Sequence, residues 1–434
     1  FLDYRCSARY FFIILNVTTM KFSSLCALLS ISISLSSAWA LPQDFGIGNF
    51  LQGGMAMDGR DLTPGFMAPE AWNGSQELDG SWRDAYENGP RRVRHIKAAP
   101  YLFGHVPIGV EAVYLGKALE RISIYYLESG TFFGYAPGLK DSAAGQATLK
   151  QKQRQFRKIF TNLEKSLSSN IEDLTGDRGK SASEGKTPLF KQRFHQYEKD
   201  GLAVQLRTAK DFYVRVDLRR RETVRESLLS PEHESVRKRE RLKRLKGNVK
   251  QVATGDVQVD GVPMIYQGGR AYCGITTFLM GAQYLGIQVD PATLASVAGF
   301  RYGQGGKKMI EAYNAVAREG GMRLKRATKI DIERVQASVD AGLPVLVWRH
   351  YDKGRNQLHM RATGRAGALP EPDDSDKARW PGVGSPAHAS VITGYNRQTN
   401  EVIFDESWGE HARGKRMRAE ELEATSYYVF YFSV

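Results

Sequence analysis

Residues 267–286 read QGGRAYCGITTFLMGAQYLG, and this stretch sets the expected fold. Cys273, Ile275, Phe278, Leu279 and Leu285 recur at spacings near 3.6 residues, so the periodicity predicts a helix that opens at Cys273 and turns an apolar stripe towards a core. A thiol there meets unpaired backbone N–H groups and the positive end of the helix dipole, which favour thiolate over thiol. Gln267, six positions upstream in the preceding loop, carries an amide that can donate to the oxyanion of an acyl-transfer intermediate, beside the backbone N–H of Cys273. Alone, Cys273 would read as a small buried hydrophobe and Gln267 as a loop residue. The downstream sequence supplies what that plainer reading lacks.

A thiolate nucleophile needs a base, and of eight histidines only His388 lies in a suitable frame. Residues 386–410, PAHASVITGYNRQTNEVIFDESWGE, predict a strand from His388 to Tyr395, a polar turn over Asn396 to Asn400 and a return strand from Glu401 to Glu406. Folding this hairpin about Arg397 sets His388 opposite Glu406, and a one-residue shift sets it opposite Asp405. Either carboxylate could orient the ring. The set is a thiol, an imidazole and an acceptor that fixes the imidazole tautomer, the logic of a Cys-His-acid triad. His350, His359 and His411 read as ordinary polar residues.

These motifs resemble the papain-like cysteine peptidases, and in style the compact bacterial branch that includes the double-glycine leader peptidases (Peptidase C39-like). Four features carry the resemblance: the Gln267-to-Cys273 spacing, Cys273-Gly274 opening a helix, HASVITGY at 388–395, and Ser407-Trp408-Gly409. It covers roughly Gln251 to Val434. The resemblance implies that Cys273 is the nucleophile, His388 the base and Gln267 the oxyanion donor, with Trp408 shielding the histidine-acceptor bond from water. The family places Asn before Ser-Trp-Gly where this chain has Glu406, while the leader-peptidase branch uses an Asp that Asp405 could supply. A carboxylate in place of the amide favours imidazolium and strengthens a thiolate–imidazolium pair. Ala271 and Tyr272 stand where eukaryotic relatives carry a disulfide cysteine.

Cysteine usage fits an exported enzyme with one functional thiol. The other two cysteines are Cys6 and Cys26. From Met20 the chain reads MKFSSLCALLSISISLSSAWALPQ: one Lys, an apolar and serine-rich run, then Ala38-Trp39-Ala40. Residues 20–40 are therefore expected to be a secretory signal peptide, and residues 1–19 upstream translated sequence. The run is short and serine-rich for a membrane span, and Cys26 lies too early in it to be a lipoprotein cysteine. Cleavage would leave Cys273 as the sole cysteine, in a secreted, periplasmic or cell-envelope protein.

The chain has 434 residues, 42% of them apolar, and a formal charge of +14 that falls to +12 without residues 1–40, which hold Arg5, Arg9, Lys21 and Asp3. That size suits two domains. A basic exported protein favours anionic surfaces of the cell envelope as partners, and no motif supports nucleic-acid binding. The charge concentrates in RKRERLKRLKGNVK, residues 237–250, with eight Lys or Arg against one acid. It follows the turn-like LLSPEHES at 228–235 and reads as a solvated helix or linker, 231–250. A sharper expectation is a processing site between an inhibitory N-terminal half and the peptidase-like half.

Residues 41–230 predict a mixed α+β domain of unread role. ERISIYYLESGTFFGY at 120–135 is strand-like. Phe156, Ile159, Phe160, Leu163 and Leu167 mark an amphipathic helix, and Phe212, Val214, Val216 and Leu218 alternate as a half-buried strand. TGDRGKSASEGK at 175–186 reads as a polar loop, because Gly176 is at the wrong spacing for a phosphate-binding loop and no strand precedes it. Residues 251–434 run in papain-like order: the Cys273 helix, a helix from Pro291 to Val297 capped by Asp290, helices over 307–318 and 330–341, the apolar strand LPVLVWRH, a long surface loop over 363–386, then the histidine hairpin.

The expected protein is an exported α+β cysteine peptidase whose C-terminal papain-like fold packs the nucleophile helix on an antiparallel sheet. Its substrate would be a peptide or protein, and amide hydrolysis by these groups needs no metal or organic cofactor. Two alternatives keep the same site: a transglutaminase-like or cell-wall amidase relative acting on another amide, and a non-catalytic binding module.

Overall fold

The computed structural model describes residues 56–74, 76–134, 142–224, 227–300 and 308–433. Residues 1–40, with Cys6, Cys26 and the signal-like run, lie outside the described residues. The N-terminal half contains β1 (Ala56–Asp61), β2 (Trp82–Asn88), β3 (Arg91–Ile96), β4 (Ala98–Tyr101), β5 (Gly109–Leu115), β6 (Ala118–Glu128), β7 (Lys180–Glu184), β8 (Gln192–Lys199), β9 (Leu202–Ala209) and β10 (Tyr213–Arg220). Strands β1 and β4 pair in parallel. The rest form one sheet in the order β2-β3-β5-β6-β10-β9-β8-β7.

The helix Ala143–Thr175 lies across this sheet, joining β6 to β7. Ser142 caps its start by accepting from the Gly145 N–H at 3.1 Å, which satisfies one of the orphan donors of the first turn. It buries Leu149, Phe156, Phe160, Leu167 and Ile171, with Ile159 and Leu163 packed at the edge of the same core. Three expectations for this half change. The strand-like run 120–135 stops at Glu128, whose carboxylate caps a short helix, Ser129–Phe133. The polar stretch 175–186 includes β7, which among the described residues pairs only with β8. Its Lys and Ser side chains suit a sheet edge and hide a strand from pattern reading. Strand β10 is buried on both faces over Tyr213–Leu218 rather than on one, because Arg215 and Asp217 on its second face are neutralised by ion pairs instead of water.

The C-terminal half contains β11 (Val249–Gln251), β12 (Asp256–Val259), β13 (Arg323–Ala327), β14 (Val345–His350), β15 (Ala387–Asn396), β16 (Glu401–Asp405), β17 (Lys415–Arg418) and β18 (Ser426–Ser433). They order as β11-β12-β15-β14-β18-β13, antiparallel, with β16 pairing β15 and β17. The helix Cys273–Tyr284 packs on β15 and β14. It buries every residue from Ile275 to Tyr284, so the expected stripe is instead burial all round. The sheet covers one side, and the helices Pro291–Val297 and Met309–Glu319 cover another. Asp290 caps the first of these through the Thr293 N–H at 2.9 Å. The fold is thus α+β, with the Cys273 helix on an antiparallel sheet.

Two polar segments are tied down. The basic run is helical over Lys238–Gly247, with Arg241 and Leu245 buried and Arg241 Nη2 donating to the Gly320 carbonyl at 2.8 Å. Its other basic residues are exposed. Within 363–386, Asp374–Lys377 is a helix and Leu369 is buried, while Arg418 Nε donates to the Pro370 carbonyl at 3.2 Å. No helix among the described residues is long and apolar enough to cross a membrane.

Candidate active site

Cys273 is the first residue of its helix and is half-buried. Strand β15 runs beneath it, and Thr277 Oγ1, one turn along, donates to the Ala389 carbonyl at 3.1 Å. That bond locks the helix to the strand beside His388. The thiol lies close enough to the His388 ring for each to shift the titration of the other.

The hairpin register decides which acid reaches the ring. Val391 pairs with Asp405 and Ile392 with Phe404. A bulge then shifts the ladder so that Gly394 pairs with Ile403 and Asn396 with Glu401. At Gly394 a Cβ would lie 2.6 Å from the Val257 carbonyl oxygen, so the close approach of β12 requires glycine there. Continuing the register sets Glu406 beside Ser390, two residues from the predicted His388 pairing. An even slip keeps a residue on its face, whereas an odd one reverses it. Glu406 therefore shares a face with His388 and Ser390, and Asp405 points the other way. Asp405 accepts from the Gly414 N–H at 2.7 Å and lies 4.0 Å from Arg413.

Glu406 is fully buried and surrounded by donors. One carboxylate oxygen hydrogen-bonds His388 Nε2. The other accepts from Arg349 Nη2 at 2.7 Å and Lys415 Nζ at 3.3 Å. Arg349 Nε also donates to Ser390 Oγ at 3.2 Å, and Lys415 also bonds Asn356 Oδ1. With Nε2 on the carboxylate, Nδ1 is the nitrogen left for the thiol. Trp408 stacks on the His388 ring at 4.6 Å, and Tyr351 closes a second side at 5.4 Å. The indole thus covers the bond to Glu406 from solvent.

Burial pushes the His388 pKa down, but the Glu406 charge and hydrogen bonds to Cys273 and Glu406 outweigh it and raise it to about 9. For Cys273 burial works upward, yet the His388 hydrogen bond and charge, with the backbone at Ala389 and Gly274, leave the thiol below its ordinary value. Burial alone would raise Glu406. The charges of His388, Lys415 and Arg349 hold it far below the usual carboxylate range. Asp405, with one backbone donor and a distant Arg413, is raised by burial to about 6. The shifts favour thiolate on Cys273, imidazolium on His388 and carboxylate on Glu406 together.

Gln267 is held in the loop before Cys273. Its backbone N–H donates to the Ser407 carbonyl at 2.9 Å, its Oε1 accepts from Ser407 Oγ at 2.6 Å, and its Nε2 donates to the Arg270 carbonyl at 2.9 Å. The amide is therefore fixed to the residue after Glu406. Sequence reading missed Arg349 and Lys415. Arg349 carried a signal, a charge inside the apolar run LPVLVWRH, while nothing in GKRMR marks Lys415 as buried. Among the other histidines, His359 is buried against Glu421 at 3.0 Å, His350 lies 5.2 Å from Tyr427, and His411 is exposed. No group of three or more His, Cys, Asp or Glu among the described residues is placed to hold a metal ion.

Residues 259–433 match the Peptidase_C39 like family. A Bacillus anthracis protein solved by crystallography as a candidate C39-like peptidase is 18% identical, with a TM-score of 0.28, over 41% of this chain and 96% of that one. No curated protein matches the chain.

Proposed function

We propose that the chain is a cysteine peptidase. Cys273 attacks a peptide carbonyl, and His388 holds the thiol proton and returns it to the leaving amine. Glu406 orients His388 and stabilises its charge. The backbone N–H of Cys273 and the second N–H of Gln267 Nε2 stabilise the oxyanion. Hydrolysis of the thioester by water, with His388 as base, completes the turnover. The observation that carries this reading is a thiol at the start of a helix, its pKa lowered by His388, whose ring is itself hydrogen-bonded to the buried Glu406 carboxylate. The family match over the same residues supports it. Export through residues 20–40 belongs to the same proposal, and so does attraction to an anionic cell-envelope surface.

The test is the pH dependence of Cys273 alkylation by iodoacetamide, read by intact mass, beside cleavage of an unfolded protein. Rapid labelling well below the ordinary thiol pKa of about 8.5, slowed in His388→Ala and accompanied by cleavage, is the expected result. Labelling that follows an ordinary thiol in both proteins overturns it. An activated thiol that spares peptides but turns over isopeptide or muropeptide amides would move the assignment to acyl transfer.

A further inference from the structure

The N-terminal half reaches the residue that precedes the nucleophile. Tyr272 is the N-cap of the Cys273 helix, and its side chain is 1% exposed. Its hydroxyl donates to Glu128 Oε1, across from one half of the chain to the other. Glu128, also 1% exposed, divides its oxygens. Oε2 accepts from the Thr131 N–H at 2.7 Å and Thr131 Oγ1 at 2.8 Å, which leaves Oε1 for Tyr272. The ring lies flat on Gly130, where a Cβ would come within 2.4 Å of its Cζ. On its other side Arg270 sits 5.0 Å from the ring centroid, and Phe300 packs edge-on at 5.4 Å. Tyr272 is thereby held on every side, and its carbonyl accepts the Thr276 N–H at 2.7 Å, closing the first turn of the helix.

The far end of the same helix is also held by the N-terminal half. Asn88 Nδ2 donates to the Gln283 carbonyl at 2.9 Å. Nearby, Arg215 pairs with Asp290 at 2.6 Å, and the Thr187 N–H donates to Glu319 Oε1 at 2.6 Å. A removable inhibitor would cover the thiol mouth. The contacts at Tyr272 and Gln283 instead hold the helix at both ends.

We infer that Glu128 is a positioning residue for Cys273: through Tyr272 it fixes the first turn of the nucleophile helix against His388, so the N-terminal half is part of the working enzyme. This rests on the reading of Cys273 as nucleophile, and extends it to a residue more than 140 positions away in sequence. The lowered thiol depends on His388 and on the backbone at Ala389 and Gly274, and a small displacement of the first turn would move it away from His388 and Ala389. A 1 Å misplacement can cost roughly a hundredfold in rate.

The experiment compares the full chain with Glu128→Ala, Tyr272→Phe, Glu128→Gln and Asn88→Ala. Two readouts are used: the pH profile of iodoacetamide alkylation, and hydrogen exchange of the peptide covering residues 274–280. In Glu128→Ala and Tyr272→Phe, alkylation at neutral pH should fall about tenfold to a hundredfold, its acid limb should move to higher pH, and exchange at 274–280 should quicken. Glu128→Gln can still pair with Tyr272, its Nε2 donating to the hydroxyl, and should keep most of the reactivity. Asn88→Ala weakens the interface away from Tyr272 and should leave both readouts near wild type. Tyr272→Phe loses one oxygen atom, so it stays informative if Glu128→Ala does not fold. Folded Glu128→Ala and Tyr272→Phe proteins with wild-type alkylation and exchange overturn the inference. A wild-type thiol of ordinary reactivity would instead sink the peptidase reading, and the exchange data would still decide whether Glu128 fixes the turn.

Discussion

Strand β10 carries several charged residues through the middle of a sheet and β15 carries one histidine, and they serve opposite ends. In β10, Asp217 lies between Arg215 and Arg207, both at 3.0 Å, and Glu184 pairs with Arg207 at 2.7 Å. Arg215 also pairs with Asp290 on the other half at 2.6 Å. That network is closed, each acid matched by guanidinium groups that never lose a proton. In β15 the matching member is an imidazole, and beyond it stands a half-buried thiol. Buried charge alone is therefore no mark of a site. The mark is a proton that can move between buried partners, with an atom at the mouth to receive a substrate.

The strongest way to break this contrast is to remove one member of each set. Cys273→Ala should lower peptide hydrolysis by roughly 10⁴-fold or more, with little change in the unfolding midpoint, since Glu406 keeps His388, Arg349 and Lys415 as partners. Asp217→Asn should do the reverse: about 3–5 kcal/mol lost in denaturant unfolding, because two buried guanidinium groups lose their acceptor, and an unchanged kcat for the folded fraction. Equal damage to stability from both kinds of change would erase the distinction.

A finer test lies between neighbours. Glu406→Gln should lower kcat roughly 10²-fold or more, and it should bring the alkaline limb of the rate profile down from about 9, since the charge that raises His388 is gone. Asp405→Asn should leave kcat within a few-fold. The stability signs also differ. His388 is raised by folding from 6.5 to about 9, so its contribution is complete below pH 6.5 and fades as pH rises through 9. Glu406→Gln should flatten that decline. Asp405 is raised by folding from 3.8 to about 6, so ionising it weakens the fold as pH rises through that range. Asp405→Asn should therefore gain about 1–2 kcal/mol above pH 6 and nothing below pH 3.8. Thermal melts across pH check both.

The contrast between these neighbours was only half legible in the sequence. Local signals marked the pieces: the 3.6 spacing after Cys273, the strand-like run from His388 to Tyr395, the Asp290-Pro291 cap. Pairing order and face followed from the hairpin, but its register did not, because the bulge at Gly394 is set by the approach of β12 from more than 130 residues away. The Ser407-Trp408-Gly409 anchor pointed to Glu406 over Asp405, but the faces of the two acids were separable only by that register. Lys415 was invisible, and Arg349 showed only as a charge in an apolar run, for a related reason: each becomes a partner of Glu406 only once β14 and β17 are in place. Glu128 was hidden further, since a strand-ending acid looks the same whether it faces water or the hydroxyl of Tyr272.

The mildest prediction concerns Lys415. It is fully buried, 3.3 Å from Glu406 and 4.9 Å from the Trp408 ring centroid, and burial pulls its own pKa down. Glu406 is faced by His388 from β15, Arg349 from β14 and Lys415 from β17, so three cations share one carboxylate. The two fixed cations dilute the hold of that carboxylate on the imidazolium, and a less firmly held proton passes more readily to a leaving amine. Lys415→Met keeps the length of the side chain and removes the charge. Glu406 should then act more fully on His388, moving the alkaline limb upward from about 9 by less than about one pH unit, with kcat down a few-fold. A downward shift would mean that Lys415 chiefly aims the carboxylate, because a misdirected Glu406 would release the proton earlier.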